Sequence, residues 1–312
     1  MQLSNSDFQK LRSKLERRRW FYRASQMVSL MLGARVFVLA FYVFTLYVST
    51  FFLFNQEESL RAFVFDYKVH GIIVCSLLSI AAGGLINQFY DKEKDQITKP
   101  FRSYFQSFVK EKYILYSYLL LNVLSLGIAL VLSYRILIFF LVYQFLIWFY
   151  SHKLSRIAVV NNLTYVSLSL YPFFGLLVYY QHFSDLLFLM SVFLFVLLLI
   201  IDIIKDIVTR AADKLFGYAT IPVLFGNTKT VYLLYLLLIT NSLASYLIVN
   251  ELKYFNLVAY YFSASILVYL LVGISLYFFR YSKMSRLINA LRVWVFIGVV
   301  FMLLNGIFER IA

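Results

Sequence analysis

Cysteine is almost absent: the 312 residues hold one, Cys75, inside an apolar run. That leaves no intrachain disulfide and no cysteine-based metal site. Histidine is nearly as scarce. His70, His152 and His182 stand far apart without ligand spacing, which reads as interfacial side chains rather than zinc ligands. Acidic residues number 15 against 29 Lys and Arg, a net charge of +14. Charged residues make up 14% of the chain and hydrophobic ones 62%, with a mean hydropathy of +0.79. No soluble domain of this length has that balance, so the class is a polytopic membrane protein. The positive charge falls in short loops between apolar runs. It therefore speaks for topology and lipid headgroups, not for nucleic acid. Also missing are a soluble domain, a linker and a low-complexity tract. The basic, amphipathic residues 1–26 (KLRSKLERRRWFYR within them) lack the short apolar core and cleavage site of a signal peptide. They are expected to lie on the headgroups at the cytoplasmic side.

What the chain does have is apolar runs, near residues 36–54, 69–86, 113–133, 136–150, 157–180, 186–204, 231–249, 254–279 and 293–307. The fourth and ninth are short for a span and are expected to extend into their flanks. Backbone groups in lipid must be satisfied internally, and the period is not that of a β-barrel, so the runs predict about nine transmembrane helices in an all-α fold. With the N-terminus inside, 24 of the 29 Lys and Arg fall on the inner side. That asymmetry predicts a cytoplasmic N-terminus and puts every long polar loop on the cytoplasmic face. Pro172 should kink or loosen the fifth helix. Gly83 and Gly84, after Ala81 and Ala82, allow a close helix approach.

The stretch NQFYDKEKDQITKPFR, from Asn87 to Arg102, follows the second run. Asn87, Asp91 and Asp95 are four residues apart, which places them on one helix face. Paired carboxylates repel unless a cation sits between them, and hard oxygen ligands with room for water and a phosphate suit Mg²⁺. Lys92, Lys94, Lys99 and Arg102 add the basic flank that a metal-bridged diphosphate needs. The alternative is a solvated helix end with ordinary charge pairs.

A second acidic cluster ends the sixth run. Asp202 and Asp206 share a face, Asp213 follows seven residues later, and Lys205, Arg210 and Lys214 supply positive charge. A carboxylate bordering an apolar run is functional or paired by default, and a Lys205 or Arg210 salt bridge is the structural alternative. Two facing carboxylate groups would hold two Mg²⁺ ions across one diphosphate. A third inner segment, WFYSHKLSR, offers Tyr150, Lys153 and Arg156 to a phosphate or a ligand headgroup, or as snorkelling anchors.

These residues together resemble the UbiA superfamily of intramembrane prenyltransferases over nearly the whole chain, read as one domain, residues 1–312. Asn87, Asp91 and Asp95 match its N-x-x-x-D-x-x-x-D motif, and Lys99, Pro100 and Arg102 its K-P-x-R trailer. Tyr150, Ser151 and Lys153 resemble its fourth-helix Y-S-x-x-L-K region, and Asn162 the G-N that follows. Lys205, Asp206, Ile207, Asp213, Gly217, Thr220, Pro222 and Gly226 match its second loop. Two departures stand out. Thr209 occupies the place of a usual aspartate, and Ala212 that of a glycine.

The resemblance implies prenyl transfer from a polyprenyl diphosphate to a hydrophobic acceptor, either an aromatic ring or a lipid alcohol. Mg²⁺ would be held by Asn87, Asp91 and Asp95 and by Asp206 and Asp213, with help from Asp202. Asp91, Asp95, Asp206 and Asp213 would be the catalytic acids, Lys99, Arg102, Lys153, Lys205 and Arg210 the diphosphate contacts, and Tyr150 a contact for the acceptor or a headgroup. The K-P-x-R trailer sits closer to relatives that use homogentisate, chlorophyllide or a prenylglyceryl phosphate. A bacterial cytoplasmic membrane is the expected location. Two other classes stay open: a weakened homologue that holds an isoprenoid diphosphate without turnover, which Thr209 favours, and a transporter. Acids at one membrane face rather than the midplane speak against transport.

Overall fold

A computed structural model describes residues 19–54, 59–252, 256–278 and 284–311. The first 18 residues of the expected N-terminal segment lie outside them. Among the described residues the chain is nearly all helical, with no strands. The helices are α1 (Arg19–Gly33), α2 (Val36–Ser49, continued by a π-helical turn Thr50–Phe54), α3 (Leu60–Phe65), α4 (Tyr67–Tyr90), α5 (Lys92–Thr98), α6 (Pro100–Gln106), α7 (Glu111–Leu132), α8 (Tyr134–His152), α9 (Val160–Tyr180), α10 (Asp185–Leu215), α11 (Ile221–Glu251), α12 (Leu257–Phe278) and α13 (Met284–Ile311). Nine among the described residues are long and apolar enough to cross a membrane, and they coincide one for one with the nine apolar runs. The short fourth and ninth runs extend as expected, to Tyr134–Arg156 and Met284–Phe308. The chain is an integral membrane protein.

Two compact units form. The first joins Met1–Val43 to Gly71–His152. Here α7 and α8 pack as a hairpin turned by Ser133 alone. A buried polar seam stitches them to α4: Ser79 and Ser125 hydroxyls meet at 3.1 Å, and Gln144 Nε2 donates to Ser79 Oγ at 3.2 Å. Lipid gives apolar side chains no reason to leave it, so such internal hydrogen bonds and close packing hold membrane helices together. Gly84 supplies the close packing. A Cβ there would meet the Gly33 carbonyl oxygen at 2.6 Å, and one at Gly83 would meet Ile147 at 2.9 Å.

The second unit joins Phe44–His70 to Lys153–Ala312. It is built on α10 packed against α9, α11 and α13, with α12 between α11 and α13. Leu197, Ile200 and Ile204 of α10, Leu234 and Leu238 of α11 and Tyr269 of α12 form its core. Trp294 stacks on Tyr261 at 5.1 Å and donates Nε1 to Ser265 at 3.0 Å. Pro172 lies inside α9, which runs on through it as one helix. The sharp break falls instead at Gly226 in α11, whose φ of 80° and ψ of 166° no helix interior shares.

Candidate active site

In the first unit the four-residue spacing holds through a break between helices. Backbone bonds run from Asp91 N to Asn87 O (2.9 Å), Asp95 N to Asp91 O (2.8 Å) and Lys99 N to Asp95 O (2.8 Å). Asn87, Asp91, Asp95 and Lys99 therefore form a file, one turn apart, across the turn where α4 gives way to α5. Asn87 Nδ2 donates to Asp91 Oδ2 at 2.9 Å. Asp95 is buried and accepts from Lys99 Nζ at 2.9 Å. Burial holds the Lys99 ammonium below its usual range. Asp95 opposes that shift, and the nearby Arg35 and Arg102 add to it. Arg102 donates Nη2 to the Leu32 carbonyl at 2.6 Å and still feels the Asp95 charge. Lys92 is spent on an exposed pair with Glu111 at 2.7 Å. Tyr150 lies in the last turn of α8, half-buried.

In the second unit Asp202, Asp206 and Asp213 are all buried on α10. Lys205 pairs with Asp202, lies 3.7 Å from Asp206 and covers the Tyr165 ring at 5.1 Å. The other partners come from the first turn of α9. Asn162 Nδ2 is 2.8 Å from both Asp202 Oδ2 and Asp206 Oδ2, and Asn161 Nδ2 is 3.3 Å from Asp206 Oδ2. Just before them Val159 takes a φ of 66°, an outlier for a β-branched residue, and such strain gathers at functional segments. Thr209 Oγ lies 2.7 Å from Asp213 Oδ2 and 3.2 Å from the Lys205 carbonyl. Arg210 and the exposed Lys153 have no side-chain partner among the described residues.

The residues suit Mg²⁺ by donor chemistry. Every candidate ligand is a hard oxygen, and the amide oxygens of Asn161 and Asn162 are buried without hydrogen-bond partners. Among the described residues no three His, Cys, Asp or Glu cluster as a ready cage. Mg²⁺ usually takes one or two carboxylates and completes its shell with water and substrate phosphate, so pairs are the pattern it needs. Sequence reasoning missed Asn161 and gave Asn162 no role. The available signal was two adjacent amides opening an apolar span, where unpaired polar groups are costly. It also passed over Arg35, whose charge acts on Lys99 and Arg102.

Nine apolar helices among the described residues, with acids and amides gathered where α4 meets α5 and on α9 and α10, define a polytopic membrane protein. The chain belongs to the UbiA prenyltransferase family, whose model matches residues 43–305. It is 27% identical over 209 residues to a digeranylgeranylglyceryl phosphate synthase from Methanosphaera stadtmanae, covering 67% of this chain and 72% of that one. It is 29% identical over 151 residues to a protein of the same name from Pyrococcus horikoshii, covering 48% and 54%. A solved structure concerned with digeranylgeranylglyceryl phosphate synthase in membranes is similar at a TM-score of 0.69, with 17% identity and coverage of 90% and 98%. A UbiA homologue from Archaeoglobus fulgidus bound to DMAPP and Mg²⁺ is similar at 0.67, with 14% identity and coverage of 89% and 99%. At these identities the two structures establish the fold.

Proposed function

We propose that the protein is an active, Mg²⁺-dependent prenyltransferase that moves a prenyl group from a polyprenyl diphosphate to a lipid alcohol. What carries the reading is that oxygen pairs survive on both acidic segments: Asn87 against Asp91, and Asp202 against Asp206 through Asn162. Asn87, Asp91 and Asp95 would hold the metal on the first segment, and Asp206, Asp213 and Asp202 on the second. When bound, Mg²⁺ neutralises charge on the diphosphate leaving group. Lys99, Arg102, Lys153, Lys205 and Arg210 bind the phosphates and stabilise the negative charge that develops as the carbon–oxygen bond breaks. Apolar helix surfaces keep water from the allylic cation, which the acceptor hydroxyl oxygen then captures as its proton passes to the released diphosphate. Tyr150 would touch the donor headgroup or the acceptor. Relatives named for digeranylgeranylglyceryl phosphate favour a prenylglyceryl phosphate as acceptor over an aromatic one. The charge asymmetry favours a cytoplasmic N-terminus and cytoplasmic acidic loops. The named relatives are archaeal, which supports a prokaryotic cytoplasmic membrane as the location without singling out a bacterial one. The test is radiolabelled transfer from geranylgeranyl diphosphate to geranylgeranylglyceryl phosphate by purified protein. Substitution of Asp91 or Asp95 by Ala should abolish it, and near-normal product from either variant would refute the assignment.

One observation favours a second reading, an isoprenoid-diphosphate binder without turnover. The Thr209 hydroxyl is neutral and is hydrogen-bonded to Asp213, where active relatives would place a second carboxylate. Under that reading Thr209→Asp restores diphosphate release that the wild type lacks. Under the enzyme reading the wild type already releases it.

A further inference from the structure

Gln144 stands inside α8, about two turns from the end of that helix at His152, and is only 8% exposed. Its amide nitrogen is spent on Ser79 Oγ at 3.2 Å and on the Asn122 carbonyl at 3.5 Å. Its Oε1, the other arm of the planar amide, accepts no hydrogen bond among the described residues. Gln144 lines a groove of about 360 Å³ between α7 and α8. Tyr118 and Asn122 of α7 line the same groove, and Leu141, Phe145 and Trp148 of α8 form its apolar walls. Those walls are braced, since Trp148 stacks on His152 at 5.4 Å and Phe145 on Phe149 at 5.9 Å. Every lining residue belongs to the first unit.

Tyr118 is about two turns from Glu111, where α7 begins, so the polar side chains lie about 10 Å or more from the ends of the hairpin, within its spans. At that depth no bulk water completes a hydrogen bond, and a polar atom left open is costly. The seam to α4 accounts for the Gln144 nitrogen. It accounts neither for the oxygen nor for Tyr118 and Asn122 beside it. Leu141 and Phe145 are exposed, so the groove is open to molecules dissolved in the membrane. None of the six lining residues is charged, so a phosphate-bearing headgroup would find no partner there. A Gln oxygen only accepts, while a Tyr hydroxyl also donates. A ligand hydroxyl suits both, because it donates to the one and accepts from the other. An ether or an ester carbonyl would leave Oε1 unpaired.

We propose that the groove between α7 and α8 binds a neutral lipid through its hydroxyl group, with Gln144 Oε1 as the acceptor and the tail along Leu141, Phe145 and Trp148. The site shares no residue with the acidic segments and does not depend on prenyl transfer. The hydroxyl belongs either to an isoprenoid alcohol or to a glyceride, and the test separates the two.

Binding is measured by scintillation proximity on the full chain in nanodiscs, in EDTA. One pair of tritiated probes is geranylgeraniol and its methyl ether. The other is dioleoylglycerol and its methyl ether. Each ether keeps the tail and the oxygen and loses the donor. The wild type should prefer the alcohol over its ether by about tenfold or more in one of the pairs. Gln144→Met should abolish that preference and leave ether binding unchanged. Leu141→Trp fills the groove without touching the seam and should abolish the preference too. Preference within the first pair assigns the site to an isoprenoid alcohol, and preference within the second to a glyceride. No preference in either pair overturns the proposal, and so does a preference that survives intact in either variant. Leu141→Trp decides alone where Gln144→Met fails to fold.

Discussion

Asn162 donates one amide group to two carboxylates that would otherwise repel each other inside the protein. Asn162→Leu keeps the size and removes the donor, leaving Asp202 and Asp206 with less to hold them together. Mg²⁺-dependent affinity for geranylgeranyl diphosphate, measured by titration, should then fall by about tenfold or more, since hydrogen bonds to charged groups are among the stronger ones. An unchanged affinity would show that Lys205 and Asn161 order the pair without it. The acids themselves were legible in the sequence, because a four-residue interval maps directly onto one helix face. Their partners were not. Asn161 and Asn162 lie 40 to 45 residues from the acids they bind, and nothing in spacing reports which distant amide a carboxylate meets. Arg35 escaped for a different reason. A cation just before a span looks the same in sequence whether it is solvated or buried, and only the structure shows the Arg35 Nε buried without a hydrogen-bond partner.

The elements were more legible than their contacts. Nine apolar runs became nine spans among the described residues because burial in lipid imposes the same length and composition on each of them. Irregularities were harder to place. Pro172 stays within one helix, since a buried span tolerates a missing donor, while Gly226 breaks α11 by a backbone conformation that the sequence does not announce. The small-residue step at Gly83 and Gly84 was legible, and the structure gives it a partner. Gly84→Val puts a side chain onto the Gly33 backbone oxygen, which cannot swing away as a side chain would. The detergent-solubilised protein should lose about 1–3 kcal/mol of stability, seen as a lowered Tm. Gly127 is the control. Nothing lies within 4 Å of a Cβ there, so Gly127→Ala should leave Tm unchanged or raise it slightly.

Orientation belongs to the molecule as a whole, because it follows from the sum of loop charges and not from any contact. The lone Cys75 is buried, so engineered cysteines can be read against a quiet background. Glu93→Cys, beside the first acidic cluster, should be shielded from a membrane-impermeant maleimide in intact cells and labelled after lysis. Arg61→Cys, in an exposed position before the second span, should label in intact cells. The reverse pattern would place the acidic segments outside and contradict a donor arriving from the cytoplasm. The central claim is chemical and applies to the whole chain: these residues ionise a prenyl diphosphate with Mg²⁺. The most direct test is diphosphate release from geranylgeranyl diphosphate by wild-type protein in Mg²⁺ and in EDTA, with Asp91→Ala alongside. Release that requires Mg²⁺ and disappears in Asp91→Ala is the predicted result. Tight binding without release, or release that survives EDTA and the substitution, would contradict it.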